Sequence, residues 1–80
     1  MSTVTLYTRP GCHLCEQARD ALLRVQKAQP FELAEVNAQD DPALLAEYGE
    51  QLPVVLLNGT FLFEYAVQEP RLRELLKEVN

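Results

Sequence analysis

Residues 3–15 read TVTLYTRPGCHLC, and the change of character within this stretch decides the fold. Thr3 to Thr8 are mostly β-branched or aromatic, the composition of a strand. Pro10-Gly11 breaks that strand. From Cys12 to about Gln29 the period changes. Leu14, Ala18, Ala21, Leu22 and Val25 recur at three- and four-residue steps and mark one face of a helix. Asp20 and Arg24, four apart, support its outer face. Pro30 stops it.

Working outward, Phe31 to Asn37 (FELAEVN) reads as a second strand. A strand-helix-strand unit implies a right-handed crossover and parallel pairing. Asp40-Asp41-Pro42 marks a helix start, with acids at the positive end of the helix dipole and proline in the first turn. That helix is expected to run to Tyr48, with Gly49 after it. Val54 to Leu57 (VVLL) is a short apolar run suited to a strand buried on both faces. Asn58-Gly59 is a strong two-residue hairpin signal, so Thr60 to Phe63 should return antiparallel. A last helix starts near Pro70, with Leu72, Leu75, Leu76 and Val79 on its inner face. The expected order is β-α-β-α-β-β-α. This is an α/β fold with a four-stranded mixed sheet and helices on both faces.

Composition bounds the rest. Eighty residues suit one domain spanning 1–80, and 48% hydrophobic with 24% charged residues is an ordinary globular balance. No apolar run approaches the ~18 residues of a membrane span. The opening MSTVTLYTRPGC lacks a charged segment followed by an apolar one, so no secretory signal is expected. The net charge of −5 repels phosphate backbones and anionic lipid, so neither nucleic acid nor membrane is an expected partner. Two cysteines without a secretory signal fit a reducing cytoplasm. A monomer is the expected state.

The chemistry centres on Cys12-His13-Leu14-Cys15, at the junction of strand and helix. Unpaired amides and the helix dipole place partial positive charge there, which stabilises a thiolate. Cys12 stands at the helix start and is the expected attacking thiol. Cys15, one turn in and more buried, is the expected resolving thiol. A purely structural disulfide fits less well. Closing four residues removes only about 2 kcal/mol of unfolded-state entropy, against roughly 4.7 kcal/mol for a hundred-residue loop. Two inert buried cysteines, or half of a metal site, remain as alternatives. Three neighbours are candidate modulators. Arg9 would favour the thiolate by its charge, or stand as a solvated loop arginine. His13 would relay protons near neutral pH, or serve as an exposed spacer. Tyr7 would lean over the site, or pack in the core. Glu16 opposes the thiolate unless it faces solvent. Arg71 and Arg73 read as the outer face of the last helix, with attraction of an anionic ligand as the alternative, and Glu64 and Tyr65 as a solvated strand end, with lining of the cleft as the alternative.

These residues resemble a known family. VTLYTRPGCHLC is similar to the opening of glutaredoxins, where a strand leads into a Lys/Arg-Pro-x-Cys-x-x-Cys turn. Leu52-Pro53-Val54-Val55, then Leu57-Asn58-Gly59, resembles their second signature of a cis-proline, a strand and an Asn-Gly hairpin. The resemblance implies a thioredoxin-like fold with strand order 2-1-3-4. It also implies a cis Leu52-Pro53 bond beside the thiols. Leu52 would then present its amide and carbonyl to an extended substrate segment. The implied activity is thiol-disulfide oxidoreduction through a mixed disulfide. Its substrates would be disulfide-containing proteins or small-molecule thiols. No tightly bound cofactor is needed, and glutathione or a protein reductase would supply electrons. The same cysteines would serve a carrier of iron-sulfur clusters or metal. They fall short of a closed four-ligand zinc site, since only His13 stands beside them. A redox-inert adaptor on the same scaffold is the third reading.

The chain departs from the family at two places. Phe63 and Glu64 occupy positions that are commonly Gly-Gly in glutaredoxins, and Ala66 and Val67 stand near the usual acidic residue. Those family residues together hold glutathione. The spacer His13-Leu14 also replaces the usual Pro-aromatic pair. The resemblance is therefore to the short glutaredoxin-like proteins rather than to glutathione-specific ones.

Overall fold

A computed structural model describes residues 1–79. Its strands are β1 (Thr3–Thr8), β2 (Glu32–Asn37), β3 (Val54–Leu57) and β4 (Thr60–Glu64). Its α-helices are α1 (His13–Ala28), α2 (Pro42–Tyr48) and α3 (Glu69–Val79). The sheet order is β2-β1-β3-β4. β1 pairs parallel with β2 and antiparallel with β3, and β3 pairs antiparallel with β4. This is the expected mixed sheet.

The two-residue period of β1 sorts its side chains. Val4 and Leu6 are fully buried, together with Val55, Leu57 and Phe63, beneath α1 and α3. Ala18, Leu22 and Val25 of α1 and Leu72 and Leu76 of α3 close this core. Tyr7 alternates to the other face and packs near Leu44 and Tyr48 of α2. β3 pairs on both edges, and Val54 and Val55 are both buried. At the hairpin, Asn58 and Gly59 both have positive φ (50° and 85°), as a two-residue type I′ turn requires. The Asn58 side chain accepts from the Thr3 amide at 2.9 Å, which ties the hairpin to the start of β1.

Several expectations shift. Phe31 is buried but precedes β2, which begins at Glu32. A turn of 3-10 helix at Ala38–Asp40 stands before α2. The expected helix start at Asp40-Asp41-Pro42 holds, with Asp41 as the cap of α2, its Oδ1 accepting from the amides of Ala43 (3.0 Å) and Leu44 (3.4 Å). Arg24 does not depend on Asp20 for its partner. Its guanidinium reaches Glu69 at 2.9 Å and joins α1 to α3. Leu14 and Val79 fall on the predicted inner faces but are 45% and 51% exposed. Each lies within a turn of its helix end, beyond the layer its neighbours bury. Among the described residues, no helix is long and apolar enough to cross a membrane.

Candidate active site

The turn after β1 delivers Cys12 to the cap position of α1. Gly11, at φ +73°, makes the reversal. Cys12 itself is extended (φ −97°, ψ 109°), so it precedes the first helical residue, His13. Its Sγ accepts the Cys15 amide at 3.2 Å. A cap position normally carries a hydroxyl or carboxyl that satisfies an orphan amide. Here a thiol does so, and negative charge on that sulfur would face the positive end of α1. Cys15 is 2% exposed and Cys12 is half-buried. Their Cα atoms are 5.2 Å apart and their sulfurs are at bonding distance.

Leu52 and Ala38 pack with Cys15, and Tyr7, Leu44 and Tyr48 border that cluster beside Cys12. The Tyr7 and Tyr48 rings meet with centroids 5.5 Å apart. Burial there pushes the Tyr48 hydroxyl above its usual pKa, with Glu47 adding to the effect. Pro53 is fully buried, and its bond to Leu52 is cis, as the resemblance implied. It follows Leu52, which packs in the cluster with Cys15. The structure thus gathers Tyr7, Cys12, Cys15 and Leu52 in one cluster, with Pro53 next to Leu52 in the chain.

The charged neighbours sit outside that cluster. Arg9 is exposed and lines a hollow of about 300 Å³ with Cys12, Cys15, Glu16, Arg19 and Glu35. Arg19 is paired with Glu35 at 2.7 Å. His13 is 93% exposed, and its Nδ1 lies 3.8 Å from Glu16. Glu16 itself is 72% exposed, so solvent screens its charge. Arg71 pairs with Glu74 at 4.0 Å on the outer side of α3.

Tyr65 stands exposed just past the end of β4, as expected, and is also hydrogen-bonded there. The left-handed backbone falls there (φ 65°), one residue past the two glycine-like positions, while Phe63 is buried in the core. The Tyr65 amide donates to the Pro53 carbonyl at 2.9 Å, and the Ala66 amide to that of Glu64 at 2.7 Å. Both backbone donors at this corner are therefore already paired. Ala66 and Val67 stand here with no carboxylate between them. No pattern in the sequence marks the Tyr65 backbone conformation; the only signal was its place beside the missing glycines.

A model of the glutaredoxin-like domain (DUF836) matches residues 3–77. The chain belongs to that family. The glutaredoxin-like chain is 35% identical over 75 residues to an uncharacterized protein of Mycobacterium tuberculosis H37Rv, covering 88% of this chain and 77% of the relative. Its fold is similar to that of XcR50 from X. campestris, at TM-score 0.77 and 35% identity, covering 94% and 96% of the two chains. It is also similar to Ne2328 from Nitrosomonas europaea, at TM-score 0.82 and 28% identity, covering 92% and 89%. A malaria-parasite thioredoxin-2, at TM-score 0.74 and 21% identity over 98% and 82%, shares the fold. A thioredoxin-like fold with this cysteine pair at its helix cap is compatible with redox chemistry.

Proposed function

We propose that this protein is a thiol-disulfide oxidoreductase acting through Cys12 and Cys15 in the cytoplasm. The observation that carries the reading is the Cys12 sulfur accepting the Cys15 amide at the mouth of α1, with Cys15 directly behind it. In the reduced protein the Cys12 thiolate attacks one sulfur of a substrate disulfide. That bond breaks, and the displaced sulfur leaves as a thiolate that takes up a proton. A mixed disulfide now joins Cys12 to the substrate. Cys15 loses its proton and attacks the Cys12 sulfur. The second substrate thiol departs, and a Cys12–Cys15 disulfide remains. Two electrons have passed to the substrate. Glutathione or a protein reductase restores the dithiol. The substrate lies along Leu52, whose backbone pairs with it. Arg9 and a protonated His13 favour the thiolate, weakly because both are exposed.

Iron-sulfur or metal carriage is less well supported. Among the described residues, no group of three or more His, Cys, Asp or Glu is placed to hold a metal ion. A carrier of this kind would have to draw ligands from a partner. The test is capture. Cys15→Ser should hold substrates as mixed disulfides that dithiothreitol releases, whereas Cys12→Ser should hold none. Equal capture by both variants would overturn the assignment of roles, and capture by neither would overturn the exchange reading.

A further inference from the structure

Tyr65 is bonded to the segment that carries Leu52, which packs with Cys15. Its φ of 65° lies in the left-handed region, which a bulky side chain adopts rarely. Two hydrogen bonds hold it there. Its amide donates to the Pro53 carbonyl at 2.9 Å, and its hydroxyl donates to the Glu50 carbonyl at 3.3 Å. The two acceptors lie on either side of Leu52. One residue therefore clasps both ends of the loop that carries it. Among the described residues, the amide and carbonyl of Leu52 have no hydrogen-bond partner. They are unpaired strand-pairing groups on a residue that packs with Cys15. The Tyr65 ring, half exposed, also lines a hollow of about 200 Å³ with Leu14, Ala18 and Val67. Arg24 lines it too, but is already paired with Glu69. The hollow thus offers little to a small charged thiol.

Resting on the exchange reading above, we infer that Tyr65 is a positioning residue that suits this dithiol to disulfides within extended polypeptide. A loop free to turn would have to be ordered each time a strand paired with Leu52. Holding it in advance removes that cost from binding. A small disulfide has no backbone to pair, so it gains nothing from the clasp. The clasp therefore acts on the substrate's chain, while the reacting sulfurs are left alone.

The test compares wild type, Tyr65→Phe and Tyr65→Gly on an extended peptide disulfide and on hydroxyethyl disulfide, with dithiothreitol as reductant. Both variants lose the bond to Glu50. One such bond corresponds to roughly a fivefold effect. Both should raise KM for the peptide about fivefold, leave kcat in place, and leave hydroxyethyl disulfide turnover unchanged. Tyr65→Gly keeps the amide bond and relieves the left-handed backbone, so its Tm should not fall. Amide hydrogen exchange at residue 65, whose bond to the Pro53 carbonyl closes the loop, should quicken in both. If wild type turns over disulfides and the variants match it on the peptide, the inference fails and the exchange reading stands. Equal losses on both substrates would also overturn the inference, because they would mean general damage. A wild type inert toward both disulfides would overturn the two together.

Discussion

At the scale of single residues, Cys12 concentrates the chemistry in one atom. A sulfur that caps a helix should ionise more readily than a free thiol, whose pKa is about 8.5. We expect a midpoint in the range of about 3.5–7.5 when ultraviolet thiolate absorbance is followed against pH in Cys15→Ser. Mixed-disulfide formation should rise through the same midpoint, since only the ionised form attacks. A midpoint near 8.5 would remove the basis for Cys12 as the attacking thiol. The pair was legible in the sequence because two cysteines three apart follow a strand and open a helix. Pro53 was legible only through family resemblance, since nothing in Leu-Pro-Val-Val distinguishes a cis bond from a trans one. The position of Tyr65 at a strand end beside the cleft was legible, but its backbone conformation was not. Its backbone conformation is held by partners at Pro53 and Glu50, twelve and fifteen residues away in sequence.

At the scale of elements, hydrophobic period and turn chemistry carried most of the reading. The 3-10 turn escaped it because three residues are too few to show a period. The ends of α1 and α3 escaped it because a periodic face says nothing about where the neighbouring layer stops. The Arg24–Glu69 link escaped it because its partners are far apart in sequence and meet only after α1 and α3 pack. Its electrostatics make a measurable claim. Hydrogen bonding to Arg24, helped by the charges of Arg24 and Arg73, holds Glu69 below its ordinary pKa of 4.5, although desolvation opposes the shift. The link therefore contributes fully above that ordinary value and fades as pH falls through the lowered one. Urea midpoints should drop over this acidic window in wild type and drop less in Glu69→Gln. Identical profiles would show that the link contributes nothing to stability. Both groups are solvent-accessible, so added salt should shrink the difference.

At the scale of the whole molecule, a small core leaves a narrow margin. Proteins of this size are stable by roughly 4–12 kcal/mol. Leu22 is fully buried in the core shared by the sheet, α1 and α3. Leu22→Ala should cost about 2–5 kcal/mol. Val79→Ser, at an exposed site on the same core's outer helix, should stay within about 0.5 kcal/mol. Urea unfolding with the cysteines held in one redox state checks both. A Leu22→Ala protein as stable as wild type would mean that the packing described here is not what holds the molecule together.

The order of the strands carries one more consequence. β1 is the first strand to be synthesised and lies inside the sheet, yet its neighbour β3 comes some fifty residues later, with Val4 opposite Leu57. A growing chain can pair β1 with β2 early, but its other edge stays bare until the ribosome has released Val54–Leu57. The same late segment follows Leu52 and Pro53. The nascent protein therefore closes its sheet and assembles its reactive corner in one late event, and a chain stopped before β3 has neither.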